Sequence, residues 1–195
     1  MITGCDLNTN INDMEKLFKL TPHVLAAINS RVDASTATGM GVIGAFEAFQ
    51  KCFSQDFTDG VLVHGCGSVG RIVASELVKR KIKTFVVDID AERTNIPGVI
   101  SLGNDKNWYR KNFDVIFPCS ISGLISTNIA QFLLKTKAII SAANGPFSND
   151  VIPSKLTDSN VVIIPDPLVN AGAVIADSIE KLSLIHISEP TRHTR

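Results

Sequence analysis

The amino-acid sequence predicts an α/β fold in which a doubly wound parallel sheet is covered by helices on both faces. Two observations lead to this prediction. The chain has 195 residues, of which 45% are hydrophobic, and this is enough for one good core. From Val61 onward, short β-branched runs alternate with helical patterns, and the runs are apolar throughout rather than at every second residue. Strands of a parallel sheet, which are buried on both faces, have this pattern.

Two helices are predicted ahead of the sheet. The first, "INDMEKLFKL", is amphipathic, and the residues of its apolar face are Met14, Leu17 and Phe18. The second lies in "TGMGVIGAFEAFQKCF", and the residues of its apolar face, which we expect to pack in the core, are Val42, Phe46, Phe49 and Phe53. The stretch "NSRVDASTAT" is the predicted loop between them. Residues 1–30 are too few for a domain, and we interpret them as the C-terminal edge of a truncated substrate domain.

Residues 31–181 are predicted to form the α/β domain. In chain order, its expected strands are "VLVH", "TFVVD", "DVIFP", "KAIISAA" and "VVIIP". The expected helices between them are "SVGRIVASELVKRK", "STNIAQFLLK" and "DVIPSKLTDS". Residues 182–195, "LSLIHISEPTRHTR", differ in character and resemble the translation of a transposon-type sequencing adaptor. We therefore leave this tail out of the fold prediction, although a genuine polar C-terminus is the alternative.

The charge and cysteine content exclude several classes of protein. The net charge is zero, and 19 basic residues are interspersed with 19 acidic ones, which argues against a nucleic-acid or anionic-membrane partner. The apolar runs of about seven residues or fewer are too short to cross a bilayer. The four cysteines lie far apart without a Cys-x-x-Cys pair, so we expect reduced thiols, no metal site and a cytoplasmic location.

A glycine-rich loop follows the first predicted strand. Gly65, Gly67 and Gly70 form a Gly-x-Gly-x-x-Gly pattern that opens a predicted helix, and Asp88 ends the next strand. This context is typical of a Rossmann-like dinucleotide site. Gly65 permits the tight turn, Gly67 lets the backbone approach the pyrophosphate, and Gly70 lets helix and strand pack closely. Asp88 would accept hydrogen bonds from the adenosine ribose and repel a 2′-phosphate, which favours NAD over NADP.

Four further residues beside the three glycines and Asp88 are predicted to contact the cofactor. They are Cys66, Ser68 and Val69 in the loop, and Ile89 after Asp88. The N–H groups at the start of the helix are suited to the phosphates.

Further motifs carry a resemblance to a known family. They are "ITGCDLNTNINDM", "FPCSISGLIS", "SAANGPFS" and "PDPLVNAGAVI". With "GCGSVG" and "VVDID", they resemble the glutamate/leucine/phenylalanine/valine dehydrogenase family, and most closely its leucine, phenylalanine and tryptophan members. The resemblance extends over residues 1–181. It implies an NAD-dependent enzyme that converts an apolar or aromatic L-amino acid into the 2-oxo acid and ammonia, and that is a homo-oligomer when full length.

The resemblance also implies roles for single residues. Asp6 falls at the place of the family's catalytic aspartate, which handles the proton on the substrate nitrogen. Thr38, Asn144 and Asn170 match residues that lie by the nicotinamide, and Cys119 begins the motif that is predicted to line the cofactor. From the residues alone, other interpretations stay open: Asp6 could begin a helix, Asn144 could form a turn, and Asn170 could cap a helix.

The chain also departs from the family pattern. It lacks the glycine-rich, lysine-containing stretch that belongs to the family's N-terminal domain, Gly145 and Pro146 follow "AAN", and "CSISG" replaces the usual Cys-Ala-x-Gly-Gly. We therefore interpret the chain as a fragment truncated at both ends, which binds NAD but does not turn over leucine or phenylalanine. The alternatives are a non-catalytic NAD-binding sensor or partner-binding module, and a different dehydrogenase built on a similar domain.

Overall fold

The structure is a computed structural model, and it describes residues 9, 11–21, 23–24, 33–53, 57–176 and 178. The chain divides into two compact units, Met1–Ala37 with Gly172–Arg195, and Thr38–Ala171. The domain boundaries predicted after residues 30 and 181 stay predictions.

The α-helices and strands alternate after residue 60. In the described part of the chain, the α-helices include α1 (Ile11–Phe18), α2 (Ala34–Phe53), α3 (Ser68–Lys79), α4 (Thr127–Ala130), α5 (Val151–Asp158) and α6 (Asp166–Val169). The strands are β1 (Val61–His64), β2 (Thr84–Val87), β3 (Ile100–Ser101), β4 (Val115–Pro118), β5 (Ala138–Ile140) and β6 (Val162–Ile164). Two short 3₁₀ helices lie at Ala91–Thr94 and Trp108–Arg110. Of the described helices, none is both long and apolar enough to cross a membrane.

The six strands of the described residues form one parallel sheet in the order β3-β2-β1-β4-β5-β6. This is the strand order of a doubly wound fold: β2 and β3 are added on one side of β1, and β4, β5 and β6 are added on the other. Val61 of β1 aligns with Thr84 of β2 on one side and with Val115 of β4 on the other. The predicted fold class is confirmed. The sequence missed β3, because this strand has two exposed residues and therefore no apolar run.

Alternate residues of the strands enter two cores on opposite faces of the sheet. Val61 and Val63 pack with side chains of α2 and α3, whereas Leu62 packs with side chains of α4 and α5. This alternation follows from the period of two in a strand. Helices therefore cover both faces, as the continuous apolar runs predicted.

Helix α2 confirms part of the predicted phenylalanine face and corrects the rest. Phe46 and Phe49 are buried, but Phe53, the last residue of the helix, is 47% exposed. The helix also begins earlier than expected, within the stretch predicted as a loop. The helix begins at Ala34, where the Asp33 carboxylate accepts hydrogen bonds from the Thr36 N–H at 2.6 Å and the Thr36 hydroxyl at 2.7 Å. This cap starts the helix in a threonine-rich segment that has low intrinsic helix propensity.

Two other predicted helices differ from the structure. In α1, Met14 is buried as expected, but Leu17 and Phe18 are exposed. The helix predicted in "STNIAQFLLK" is limited to α4, because the N–H of Phe132 bonds to Ile129 and that of Leu133 to Ala130. These tight turns redirect the chain into β5.

Candidate cofactor site

The first part of the site is the loop between β1 and α3. Gly65 follows the last residue of β1 and has φ +95°, which L side chains rarely adopt. A Cβ atom on Gly65 would lie 2.8 Å from both the N and Cα atoms of Ser120, which follows β4. The turn therefore requires glycine for two independent reasons.

Gly67 and Gly70 have different surroundings. A Cβ on Gly70 would overlap the carbonyl oxygen of Gly65, so α3 packs directly against the end of β1. A Cβ on Gly67 would meet no atom within 4 Å. Gly67 is the N-cap residue of α3 and provides no side-chain cap, so the positive end of the helix dipole adjoins open space. Ser68 is exposed there, and Val69 is half-buried against the core.

Asp88 connects this loop to the end of β2. The residue is 6% exposed, and its carboxylate accepts hydrogen bonds from the N–H of Cys66 at 2.6 Å and the N–H of Asp90 at 2.9 Å. An ionised carboxylate has about four lone-pair sites, so it can accept further bonds from a ligand. Beside it, Ile89 is 92% exposed. The two carboxylate oxygens of Asp88 thus bind the backbone of both loops, the one after β1 and the one after β2. The motif predicted that these loops meet.

The cysteines in this region are not reactive thiols. Desolvation, reinforced by the charge of Asp88, raises the pKa of Cys66 to about 11. Desolvation raises the pKa of Cys119 to about 12. Because the thiolate is the nucleophilic form, both side chains act as small apolar groups, and Cys119 lies close to the position of Gly70.

His64 and Ser120 join the ends of β1 and β4. The Nδ1 atom of His64 lies 2.9 Å from the Ser120 hydroxyl, and the His64 ring packs edge-on against Trp108. Desolvation by burial lowers the pKa of His64, which favours the neutral imidazole. The sequence analysis missed both residues, although a polar residue at the end of an apolar strand, directly before the glycine motif, was an available signal.

The second part of the site follows β5 and α6. The side-chain amide nitrogen of Asn170 donates to Asn144 Oδ1 at 2.6 Å and to the carbonyl of Ala142 at 3.2 Å. Since a carbonyl only accepts, this pair of bonds assigns both amide orientations. Each side chain keeps one amide atom outside this bond. Asn144 Nδ2 can donate to a ligand, and Asn170 Oδ1 can accept from one.

Both parts lie at the carboxyl edge of the sheet, where doubly wound proteins bind their ligands. Thr38 is in the second turn of α2 rather than in a loop and is half-buried. Asp6 lies outside the described residues.

A crevice of about 320 Å³ beside α4 and α5 contains none of the predicted site residues. Among the described residues, no group of three or more His, Cys, Asp or Glu could hold a metal ion.

Comparison with known proteins identifies the family. A model of the glutamate/leucine/phenylalanine/valine dehydrogenase family matches residues 79–188, more than half of the chain. The chain belongs to this family. The resemblance that the motifs predicted is therefore confirmed.

Relatives in the dehydrogenase family match over most of the chain. A phenylalanine dehydrogenase of Caldalkalibacillus thermarum is 30% identical over 91% of this chain and 52% of its own length. An L-tryptophan dehydrogenase of Nostoc punctiforme is 28% identical over 89% of this chain and 51% of its own length. The chain thus spans about half the length of the curated relatives it matches.

Solved structures show the same fold. The crystal structure of L-tryptophan dehydrogenase from Nostoc punctiforme superposes with a TM-score of 0.74 at 24% identity, over 93% of this chain and 54% of that one. A hetero-hexameric glutamate dehydrogenase from Thermus thermophilus gives a TM-score of 0.79 at 18% identity, over 97% and 52%.

Proposed function

We propose that the chain is the NAD-binding portion of an NAD-dependent L-amino-acid dehydrogenase that converts an apolar or aromatic amino acid into the 2-oxo acid and ammonia. Membership of the family supports the reaction class. The names of the relatives, which are phenylalanine, tryptophan, leucine and valine dehydrogenases, support an apolar or aromatic substrate. The observation that carries the proposal is the open space over Gly67, at the start of α3 and close to Asp88.

The residues of the first loop suit a dinucleotide. The pyrophosphate would lie over Gly67 and bind the N–H groups at the start of α3. The ribose would bind Asp88, and the adenine would contact the exposed side chain of Ile89. NAD would accept a hydride from the substrate α-carbon when bound.

Charge supports NAD rather than NADP. Asp88 would face the ribose hydroxyls, where a 2′-phosphate would meet its negative charge. Arg71 lies nearby, and its guanidinium donates to the Arg93 carbonyl at 3.3 Å. The guanidinium of Arg93 itself pairs with Asp90 at 3.3 Å. A 2′-phosphate would therefore have to compete with a carboxylate for this arginine.

The two asparagines suit the nicotinamide end. A primary carboxamide has one acceptor oxygen and a donor nitrogen, which complement Asn144 Nδ2 and Asn170 Oδ1. Asp6 would take the proton from the substrate nitrogen, a role that rests on the family resemblance. A carboxylate in a closed, partly desolvated cleft is suited to this because its pKa rises toward the working pH.

The cofactor proposal is tested by calorimetric titration of this chain with NADH and NADPH. We expect NADH to bind at least about tenfold more tightly, since one unfavourable charge contact of about 1.4 kcal/mol is sufficient. Equal affinity for both would refute the assignment of Asp88 as the discriminating residue. Failure of both to bind would overturn the whole proposal.

The enzyme proposal needs a second measurement. The chain would be expressed together with any sequence that its gene encodes upstream of Met1 and assayed with a panel of L-amino acids. We expect turnover of leucine, phenylalanine or another apolar substrate, with loss of activity in Asp6→Asn. Intact NADH binding without turnover of any amino acid would favour a non-catalytic NAD-binding module instead.

We also propose that the whole protein is a cytoplasmic homo-oligomer. The absence of a net charge and of large charge blocks supports a soluble metabolic protein without nucleic-acid or membrane partners. Light scattering on the longer protein would test the assembly, and a monomer would contradict it.

A further inference from the structure

The peptide between Asn144 and Gly145 is held from two sides. The Asn144 carbonyl accepts a hydrogen bond from the Ser122 hydroxyl at 2.6 Å, and the Gly145 carbonyl accepts one from the N–H of Gly123 at 2.8 Å. On the other side, the Gly145 N–H donates to the carboxylate of Asp166 at 3.0 Å. Three bonds therefore hold a segment of two residues.

The side-chain positions of the two residues are open. Gly145 has φ +54°, and a Cβ atom on it would meet nothing within 4 Å. Asn144 itself is exposed. The three hydrogen bonds hold the segment where these two side-chain positions are open, and the bond to Asp166 is the charge-assisted one among them.

Asp166 also holds the second asparagine. It is the first residue of α6, and its carbonyl accepts the N–H of Asn170 at 2.9 Å. Its carboxylate therefore restrains Asn144 through Gly145, while its carbonyl restrains Asn170. One residue connects the backbones of both members of the amide pair.

We infer that Asp166 is a positioning residue that aligns the Asn144 and Asn170 amides for the carboxamide of a nicotinamide ring. The inference rests on the proposed function, which it deepens by naming what sets the geometry at the nicotinamide end. Asp166 does not touch the cofactor in this role, and it acts through the Gly145 peptide.

A purely structural role for Asp166 predicts a different outcome. An acidic residue in the first turn of a helix stabilises that helix through the dipole. Loss of this effect would lower the stability of the domain and weaken every ligand of the site to a similar extent. A positioning role, by contrast, affects ligands that carry a nicotinamide and spares those that do not.

The test compares NADH with ADP-ribose, which has the same adenosine and pyrophosphate but no nicotinamide. Both are titrated into the unmodified chain, Asp166→Ala and Asp166→Asn. We expect Asp166→Ala to bind NADH about fivefold more weakly, the size of one ordered hydrogen bond, and ADP-ribose within about twofold of the unmodified chain. Asp166→Asn retains an acceptor oxygen and is expected to restore most of the NADH affinity.

Ser122→Ala is a second variant, which removes another bond to the same peptide without changing α6. The same selective loss of NADH affinity is expected. Asp158→Ala, at the end of α5, is the matched control for removal of an exposed carboxylate, and it should change neither affinity.

The outcomes separate this inference from the proposed function. An equal loss for both ligands, or no loss for either, overturns the positioning role of Asp166. Equal affinity of the unmodified chain for NADH and ADP-ribose overturns it as well, because the carboxamide is then not recognised. If the unmodified chain binds neither ligand, the proposed cofactor function itself is wrong.

Discussion

The glycine loop after β1 and the asparagine pair after β5 and α6 are held by different forces. In the glycine loop, the backbone of Gly65 lies against Ser120, and Gly70 lies against the carbonyl of Gly65. The buried carboxylate of Asp88 completes this arrangement. The asparagine pair is held by hydrogen bonds among exposed or half-buried groups, including Asn144 and Asp166.

This difference shows how rigidity is distributed across the site. Close-packed backbone cannot move without loss of many contacts, whereas an exposed hydrogen bond exchanges with water at a net cost of about 1 kcal/mol. The loop proposed to hold the phosphates is therefore part of the fold. The pair proposed to hold the nicotinamide can be adjusted without unfolding the domain.

Substitution of Gly70 is expected to have the largest effect. In Gly70→Ala, the new Cβ would overlap the Gly65 carbonyl oxygen, so α3 must move away from β1. We expect the free energy of unfolding to fall by about 3 kcal/mol, the upper range for overpacking. Urea denaturation measures this value, and a loss below about 1 kcal/mol would show that the loop is not close-packed.

Removal of the buried carboxylate should come next. Asp88→Ala leaves the N–H groups of Cys66 and Asp90 without their acceptor. We expect a loss of about 2 kcal/mol in stability, as well as weaker NADH binding. Asp158→Ala is the control, since Asp158 is an exposed residue at the end of α5 and its loss should change stability by less than about 0.5 kcal/mol. Equal losses in both variants would contradict the role of Asp88.

Gly67→Ala separates binding from folding. The methyl group would meet no atom of the protein, so stability should change by less than about 0.5 kcal/mol. It would occupy the space assigned to the pyrophosphate, and NADH affinity should fall about tenfold, or about 1.4 kcal/mol. Gly44→Ala is the matched control: its Cβ also enters open space, but in helix α2, where alanine should increase stability and leave NADH affinity unchanged.

Asn144→Ala tests the asparagine pair, which is held by hydrogen bonds rather than by close packing. Because Asn144 is exposed, its loss should change stability by less than about 0.5 kcal/mol. Binding of NADH should weaken about fivefold, the effect of about 1 kcal/mol, and binding of ADP-ribose should not. A large loss of stability would mean that the asparagine pair is part of the fold after all, and the contrast between the two regions would disappear.

The smallest effect concerns His64. Desolvation lowers its pKa below the ordinary 6.5, so the unfolded chain binds the proton more readily than the folded one. Above about pH 6.5, His64 is neutral in both states and does not reduce the free energy of unfolding. As the pH falls from there toward the lowered pKa, protonation of the unfolded chain reduces the free energy of unfolding. His64→Gln can keep the bond to Ser120 and should abolish this part of the pH dependence, as measured by unfolding midpoints between about pH 5 and 7.5. Identical pH profiles of the unfolding midpoint in the unmodified chain and in His64→Gln would contradict this role of His64.

The same contrast explains which features the sequence revealed. Gly65, Gly67, Gly70 and the strand before them lie within a few residues of one another, so a local pattern identifies the loop. Asn144 and Asn170 were found through the family resemblance, and their cofactor role stays a prediction. The contacts of Ser122 and Asp166 were missed, because these residues bond to partners 22 and 21 positions away in the chain.

The sequence by itself determined the doubly wound sheet, the glycine loop and the family. These depend on the period of apolar residues and on backbone conformations that few residues other than glycine adopt. Only the tertiary structure decided that Asp88 closes the loop through Cys66, that His64 meets Ser120, and that Asp166 holds the asparagine pair. Hydrogen bonds between distant segments depend on how the strands are ordered, and they leave no period or spacing in the chain to reveal them.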